Sequence, residues 1–176
     1  TLTLNNANTY TGSTVVQGGT LKLDYSAVDN VFPDGSALVL KGATLELAGS
    51  PASPEVVAQT LIYSDNAGYG GRANKIRRSS GSAVLQMGDI SRAADTATPK
   101  DFGATVDFAT ENIATTTTSN TYGIIAAWAT VADANGAAAG VNGSIVALKS
   151  AGYTNDTWEL GINTNVTLAG SDPGSG

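Results

Sequence analysis

The opening stretch TLTLNNANTYTGSTVVQGGTLKL, residues 1–23, limits what this chain can fold into more than any other segment. It holds three short alternating runs, in which Leu2 and Leu4, Thr14 and Val16, and Leu21 and Leu23 each fall two residues apart. That spacing puts both members of a pair on one face of a strand. Three strands in so short a length leave no room for crossover helices. Hairpins do not fit either, because a two-residue primed turn is shorter than the Asn- and Gly-rich corners between the runs. A chain that turns the same way at each corner winds into a coil. The segment therefore reads as one rung of a β-solenoid, which points to a scaffold rather than a catalyst.

Candidate strands recur down the chain. They are predicted over 37–41, 44–48, 56–63, 75–78, 83–87, 104–108, 123–131, 144–148, 158–162 and 165–169, after the runs already named. Turn formers separate them: Pro33-Asp34-Gly35, Gly49-Ser50-Pro51, the glycines from 68 to 71, Ala134-Asn135-Gly136, Asn142-Gly143 and Asp172-Pro173-Gly174. No ten-residue window shows a clear helical period. The alanine-rich pieces Ala93 to Ala97 and Ala137 to Ala139 read as short corners. A weak internal repeat is visible, since LELAGS at 45–50 returns as VTLAGS at 166–171. Unequal repeats suit a coil whose strands stack at constant spacing while its corners vary. The whole chain, 1–176, is predicted as a single all-β solenoid segment, with degenerate rungs over 37–176. About seven or eight rungs at ~4.8 Å would stack on the order of 35 Å high. Residues 88–101 and 115–121 are the expected outward loops, the Thr115 to Thr118 run being either a stacked or an exposed polar edge.

Composition narrows the function. Of 176 residues, 41% are hydrophobic and only 14% charged, so a packed structure is expected and not a disordered chain. The net charge of −6 argues against nucleic acid, which demands a basic face. The one basic cluster, Lys75, Arg77 and Arg78, reads as a solvated strand or loop. The longest apolar run, 124–132, falls short of the ~20 residues that cross a bilayer, so no membrane insertion by this segment is expected. The chain opens at Thr1 inside the motif and closes at Gly176 in a Gly/Ser/Pro corner, and so reads as a piece of a longer polypeptide.

Histidine and cysteine are both absent. Their lack removes Ser-His-Asp triads, thiolate catalysis, disulfides and the common zinc sites. Asp89, Asp95, Asp101 and Asp107 lie close in sequence but form no paired motif, and read as solvated carboxylates in or beside loops. The calcium-binding nonapeptide pattern is missing, and the nearest fragment, Gly68 to Arg72, places a cation where an acidic ligand belongs. A weak ion at Asp65 or Asp133 is the remaining metal option; no cofactor, metal site or catalytic residue is expected. Tyr63, Tyr69, Tyr122, Trp128, Tyr153 and Trp158 could stack on sugars, although Trp128 reads as core or edge packing. The sequons at Asn142, Asn155 and Asn165 read as Asn-rich turns and strand ends.

Residues 1–23 resemble the autotransporter-associated β-strand repeat, also called the passenger-associated transport repeat. Leu2, Leu4, Ala7, Asn8, Thr9, Tyr10, Thr11, Gly12, Thr14, Val16, Gly19, Thr20, Leu21 and Leu23 carry the likeness. The stretches 38–50 and 123–131 are similar to degenerate rungs in such proteins. The resemblance implies a right-handed parallel β-helix in the exported part of a large bacterial surface protein, extracellular or on the cell surface. Leu2, Leu4, Asn8, Thr9, Tyr10, Gly12, Val16, Gly19, Leu21 and Leu23 would be its structural repeat motif, with Tyr10 stapling a corner against the next rung. The expected role is a stiff structural scaffold or filament segment. An adhesin or glycan-binding module, using loops around 65–80 and 88–101, and a polysaccharide-degrading enzyme are the alternatives. Expected partners are neighbouring rungs or copies of the same protein stacked head to tail, with a surface glycan or host-cell contact as a further one.

Overall fold

A computed structural model describes residues 1–63, 73–92, 103–120, 124–131, 138–141 and 143–147. Among them the chain is all-β, with no helix. The strands are β1 (Leu2–Leu4), β2 (Thr14–Gln17), β3 (Thr20–Asp24), β4 (Ala37–Lys41), β5 (Thr44–Ala48), β6 (Glu55–Val56), β7 (Gln59–Tyr63) and β8 (Ala73–Ser80). They continue as β9 (Leu85–Gln86), β10 (Asp89–Arg92), β11 (Thr105–Phe108), β12 (Ala114–Thr115), β13 (Ala129–Val131), β14 (Ala138–Val141) and β15 (Ser144–Ala147).

These strands build three sheets. A six-stranded sheet runs β1-β3-β5-β8-β11-β13, a four-stranded sheet β10-β7-β4-β2, and a five-stranded sheet β14-β15-β12-β9-β6. Every pairing in the first two sheets is parallel, as are β6 with β9 and β9 with β12. From β4 onward the chain visits the four-, six- and five-stranded sheets in that order: β4-β5-β6, β7-β8-β9, then β10-β11-β12. Parallel neighbours that recur in one order are compatible with a β-helix, each circuit lying one strand spacing, ~4.8 Å, from the last.

The alternation seen in the sequence becomes columns of stacked side chains. Leu21, Leu45, Ile76, Phe108 and Val131 occupy matching positions on successive strands of the six-stranded sheet, and all are buried. Val16, Leu40 and Ile62 form the corresponding column in the four-stranded sheet. Each such side chain contributes about 1.5–3 kcal/mol when fully buried. Corner backbone groups bond to the neighbouring level: the Tyr25 amide donates to Ala48 O at 2.9 Å, and the Thr44 amide to Gly19 O at 2.9 Å. Buried polar side chains take part as well. Asn74 Oδ1 accepts the Ala43 N–H at 3.1 Å while Asn74 Nδ2 donates to Thr105 O at 3.1 Å, tying three levels together.

Several expectations are corrected. The run 56–63 is two strands, β6 and β7, because the chain turns at Val57 and Ala58: the Val57 amide bonds Gln86 O, whereas the Ala58 amide bonds Ser36 O. Within the expected loop 88–101, Asp89–Arg92 forms β10, held by its parallel register on β7 with only Ile90 buried. The expected loop 115–121 begins in β12; Thr116 is buried and its Oγ1 donates to Gly88 O at 2.7 Å, while Thr117 stays exposed. Of 124–131, only Ala129–Val131 is a strand, since the Ala129 amide closes a turn onto Ala126 O. Ala137 to Ala139 is expected as a corner, but Ala138–Val141 is β14.

The largest departure is β14 with β15, which pair antiparallel, as do β12 and β15. Val141 faces Ser144 in this antiparallel pair, and Gly143 has φ +84°. The sequence at 142–143, Asn-Gly, is the strongest short hairpin signal, in keeping with this antiparallel pair. The expected strands 158–162 and 165–169, the repeat copy at 166–171, Asp65, Asp95, Asp101, Asp133, Tyr69, Tyr122, Asn142, Tyr153, Asn155, Trp158 and Asn165 lie outside the described residues.

Candidate functional site

The motif residues occupy the first turn of the coil and its junction with the second. Leu21 and Leu23 are buried on β3, Val16 is buried on β2, and Leu4 packs against the core from β1. Leu2 lies in register with Leu21 yet is 63% exposed, at the outer strand of the six-stranded sheet. Asn8 fixes the corner to the next level: its backbone amide and its Nδ2 both donate to Val31 O, at 3.1 and 2.9 Å. The Tyr10 hydroxyl bonds the Thr14 hydroxyl of the same motif, so this staple closes within its own turn and not against the next one. Thr9 and Gly12 are exposed, and Gly19 takes φ +68° in the corner between β2 and β3.

Charge is distributed over the outer face of the six-stranded sheet. Lys22, Glu46 and Arg77 stand at one register position on β3, β5 and β8, and Arg77 pairs with Glu46. Lys75 on β8 lies opposite Asp107 on β11, Nζ to Oδ2 3.5 Å, and Thr130 Oγ1 donates to Asp107 at 2.9 Å. Arg78 turns its guanidinium onto Ala83 O at 2.7 and 2.9 Å. The basic cluster read from the sequence is thus a strand whose cations are matched by neighbouring acceptors. Asp89 and Asp107 sit on strands, and Asp89 accepts from the Thr117 hydroxyl. Tyr63 is half-buried beneath Lys41, whose Nζ stands 4.8 Å from the ring centre, and Trp128 packs against the core. Among the described residues no group of three or more Asp or Glu side chains gathers in a metal-holding arrangement.

One buried charge went unnoticed in the sequence. Glu55 is fully buried on β6, and its two carboxylate oxygens accept the Val31 and Phe32 amides, each at 2.9 Å. Burial pushes its carboxyl above the ordinary range, against the pull of those two amides. Tyr25 beside it is raised too, by burial first and then by the Glu55 carboxylate. The signal in the sequence was slight: a single acidic residue between Pro54 and the apolar run that opens at Val56.

The remaining feature is a groove of about 630 Å³ beside β1 and along β2, lined by Leu2, Leu4, Tyr10, Val15, Val16 and Leu21 among others. No Asp, Glu, Lys or Arg side chain lines it.

Comparison with known proteins bears on this first turn. Residues 1–23 match the family model described as Passenger-associated-transport-repeat. The repeat spans β1, β2 and β3 and includes all of the motif residues. It is a repeat of autotransporter passenger regions, which implies a secreted or cell-surface protein. No curated protein and no solved structure matches the chain.

Proposed function

We propose that this chain is a right-handed parallel β-helical segment of a large exported bacterial surface or fibre-forming protein. It serves as a stiff extracellular scaffold with no catalytic role. The observation that carries this reading is the passenger-associated transport repeat at 1–23, followed by three circuits through the same sheets in the same order. Such an architecture sets length and spacing through backbone pairing and apolar columns, and neither needs a ligand. The chain's lack of histidine and cysteine supports a non-catalytic role, as does the pairing of its described sheet-face charges with one another. Its natural partners would be neighbouring turns, or further copies meeting end to end.

Two measurements on the producing bacterium and the purified chain test this. Antibody against the chain is expected to label intact cells or their released fibres. The purified chain is expected to bind no glycan saturably on an array and to cleave no acidic polysaccharide. Labelling only after lysis would sink the extracellular scaffold. Saturable binding of one glycan class would replace it with the adhesin reading, and polysaccharide cleavage with the enzymatic one.

A further inference from the structure

In the five-stranded sheet the coil departs from its own rule. β6 is the outer strand of that sheet, and the circuit through β2 and β3 brings no strand to lie on it. Residues 25–36 follow β3 as an irregular segment, closed by a turn in which the Ser36 amide bonds Pro33 O at 2.8 Å. The Val31 and Phe32 amides therefore find no ladder. They go to a side chain instead, one to each carboxylate oxygen of Glu55 on β6, at 2.9 Å. Val31 O in turn accepts both bonds from Asn8, so Glu55 anchors a chain of contacts that reaches the repeat motif. Tyr25, Val31 and Phe32 are buried along with it.

What faces this carboxylate gives it no counter-charge. The ion pairs among the described residues join Lys22 with Asp24, Lys75 with Asp107 and Arg77 with Glu46, and none includes Glu55. From the segment 25–36 it is faced by the buried Tyr25 phenol and by the negative charge of Asp34. From the neighbouring strand, β9 sets Leu85 opposite it. A buried charge without a cation is relieved either by taking up a proton or by admitting water. Water reaches Glu55 if residues 25–36 lift. β6 itself is fixed in its sheet, by the Glu55 amide on Val84 O and the Val57 amide on Gln86 O, each at 2.9 Å.

We propose that Glu55 is a proton-operated lock on residues 25–36. Protonated, it leaves the segment seated on β6; ionised, it drives the segment to open locally while the coil beneath stays folded. The missing counter-charge sets this direction, and the upward displacement of the Glu55 carboxyl by burial agrees with it. In the opened segment Glu55 is hydrated and ionises in the ordinary carboxylate range. Opening is therefore rarest below that range, becomes more frequent as pH climbs towards the raised value of the seated state, and levels off above it. One group shifts the opening equilibrium by at most about tenfold per pH unit within that window. Because the segment carries the Val31 carbonyl that holds Asn8, its release also frees the motif's corner and bares the edge of β6. The inference does not rest on the scaffold reading, so its failure would leave that reading standing.

The test is native-state hydrogen exchange of the whole chain, followed by NMR from about pH 4 to 8 and corrected for intrinsic exchange. Protection of the Val31 and Phe32 amides is expected to fall as pH rises and then to level off. Their exchange should be insensitive to dilute urea, the mark of a local opening. The Leu85 and Met87 amides, which donate to Ile113 O and Thr115 O, should exchange through a urea-sensitive opening and stay better protected at every pH. Glu55→Gln keeps a single acceptor and cannot ionise, so Val31 and Phe32 should be less protected in it, with no dependence on pH. If that variant fails to fold, the carboxyl carbon-13 titration of Glu55 in the unaltered chain serves in its place. Its midpoint is expected above the ordinary carboxylate range, and the loss of protection should level off where the titration ends. Protection that does not change with pH, or a fall that survives in Glu55→Gln, would overturn the proposal. So would a Glu55 midpoint at or below the ordinary range, or Val31 and Phe32 sharing the urea dependence of Leu85 and Met87.

Discussion

At single residues, the coil is held by contacts between levels that leave little space. A Cβ at Gly88 would stand 2.1 Å from Ala58 O, and one at Gly81 2.0 Å from Gly49 O; both residues also have positive φ, +59° and +73°. Gly88→Ala is therefore expected to cost about 2–4 kcal/mol in urea unfolding, through backbone strain and overpacking together. Gly12→Ala, with open space around it, should stay within about 0.5 kcal/mol. Glu55 gives a second prediction, in pH. Its folded carboxyl titrates above the ordinary range, so the unfolded chain ionises first as pH rises from acid. Stability linked to Glu55 is thus full below the ordinary carboxylate pKa and is lost as pH climbs towards the raised one. Denaturation of the native chain at a series of pH values should show that decline, and Glu55→Gln should remove it. Asp24 works in the opposite sense, being lowered chiefly by its bond to Ser26, and its contribution is lost as pH falls. The sequence disclosed the small corner residues but not which of them touch. Gly88 looks like any turn glycine until Ala58, thirty residues upstream, is set against it.

Among the elements, strands with two inward apolar residues were legible, and those whose pairing comes from the backbone were not. β4 and β5 fall where the alternation put them, because Leu38, Leu40, Leu45 and Leu47 announce one buried face. β10 carries only Ile90 inward, and β12 only Ala114, so period-two reasoning had little to detect. The antiparallel end was legible in principle, since Asn-Gly between two runs is a hairpin signature; the reading as one more turn in a uniform coil overrode it. The two faces of the six-stranded sheet should respond differently to mutation. Leu45→Ala, emptying a fully buried site, is expected to cost about 2–5 kcal/mol in thermal or urea unfolding. Arg77→Ala, on the outer face of β8, should cost less, about 1–2 kcal/mol, because the guanidinium is half-exposed even though the Glu46 carboxylate it pairs with is buried. Equal losses would mean that the inward columns do not carry the fold.

For the molecule as a whole, the account holds that distant segments lie side by side in parallel, level upon level. This chain has no cysteine, so paired substitutions can report that register without background. Gln59 on β7 lies opposite Asp89 on β10, both exposed, while Arg92 stands at the far end of β10. Neighbouring strands at ~4.8 Å are within disulfide reach, whereas three residues along a strand add about 10 Å. The decisive measurement is the rate of disulfide closure under mild oxidation in two double variants, Gln59→Cys with Asp89→Cys and Gln59→Cys with Arg92→Cys. Parallel stacking predicts rapid, intramolecular closure of the first and none of the second. Closure of the second pair alone would mean that β7 and β10 run antiparallel, and would contradict the coil.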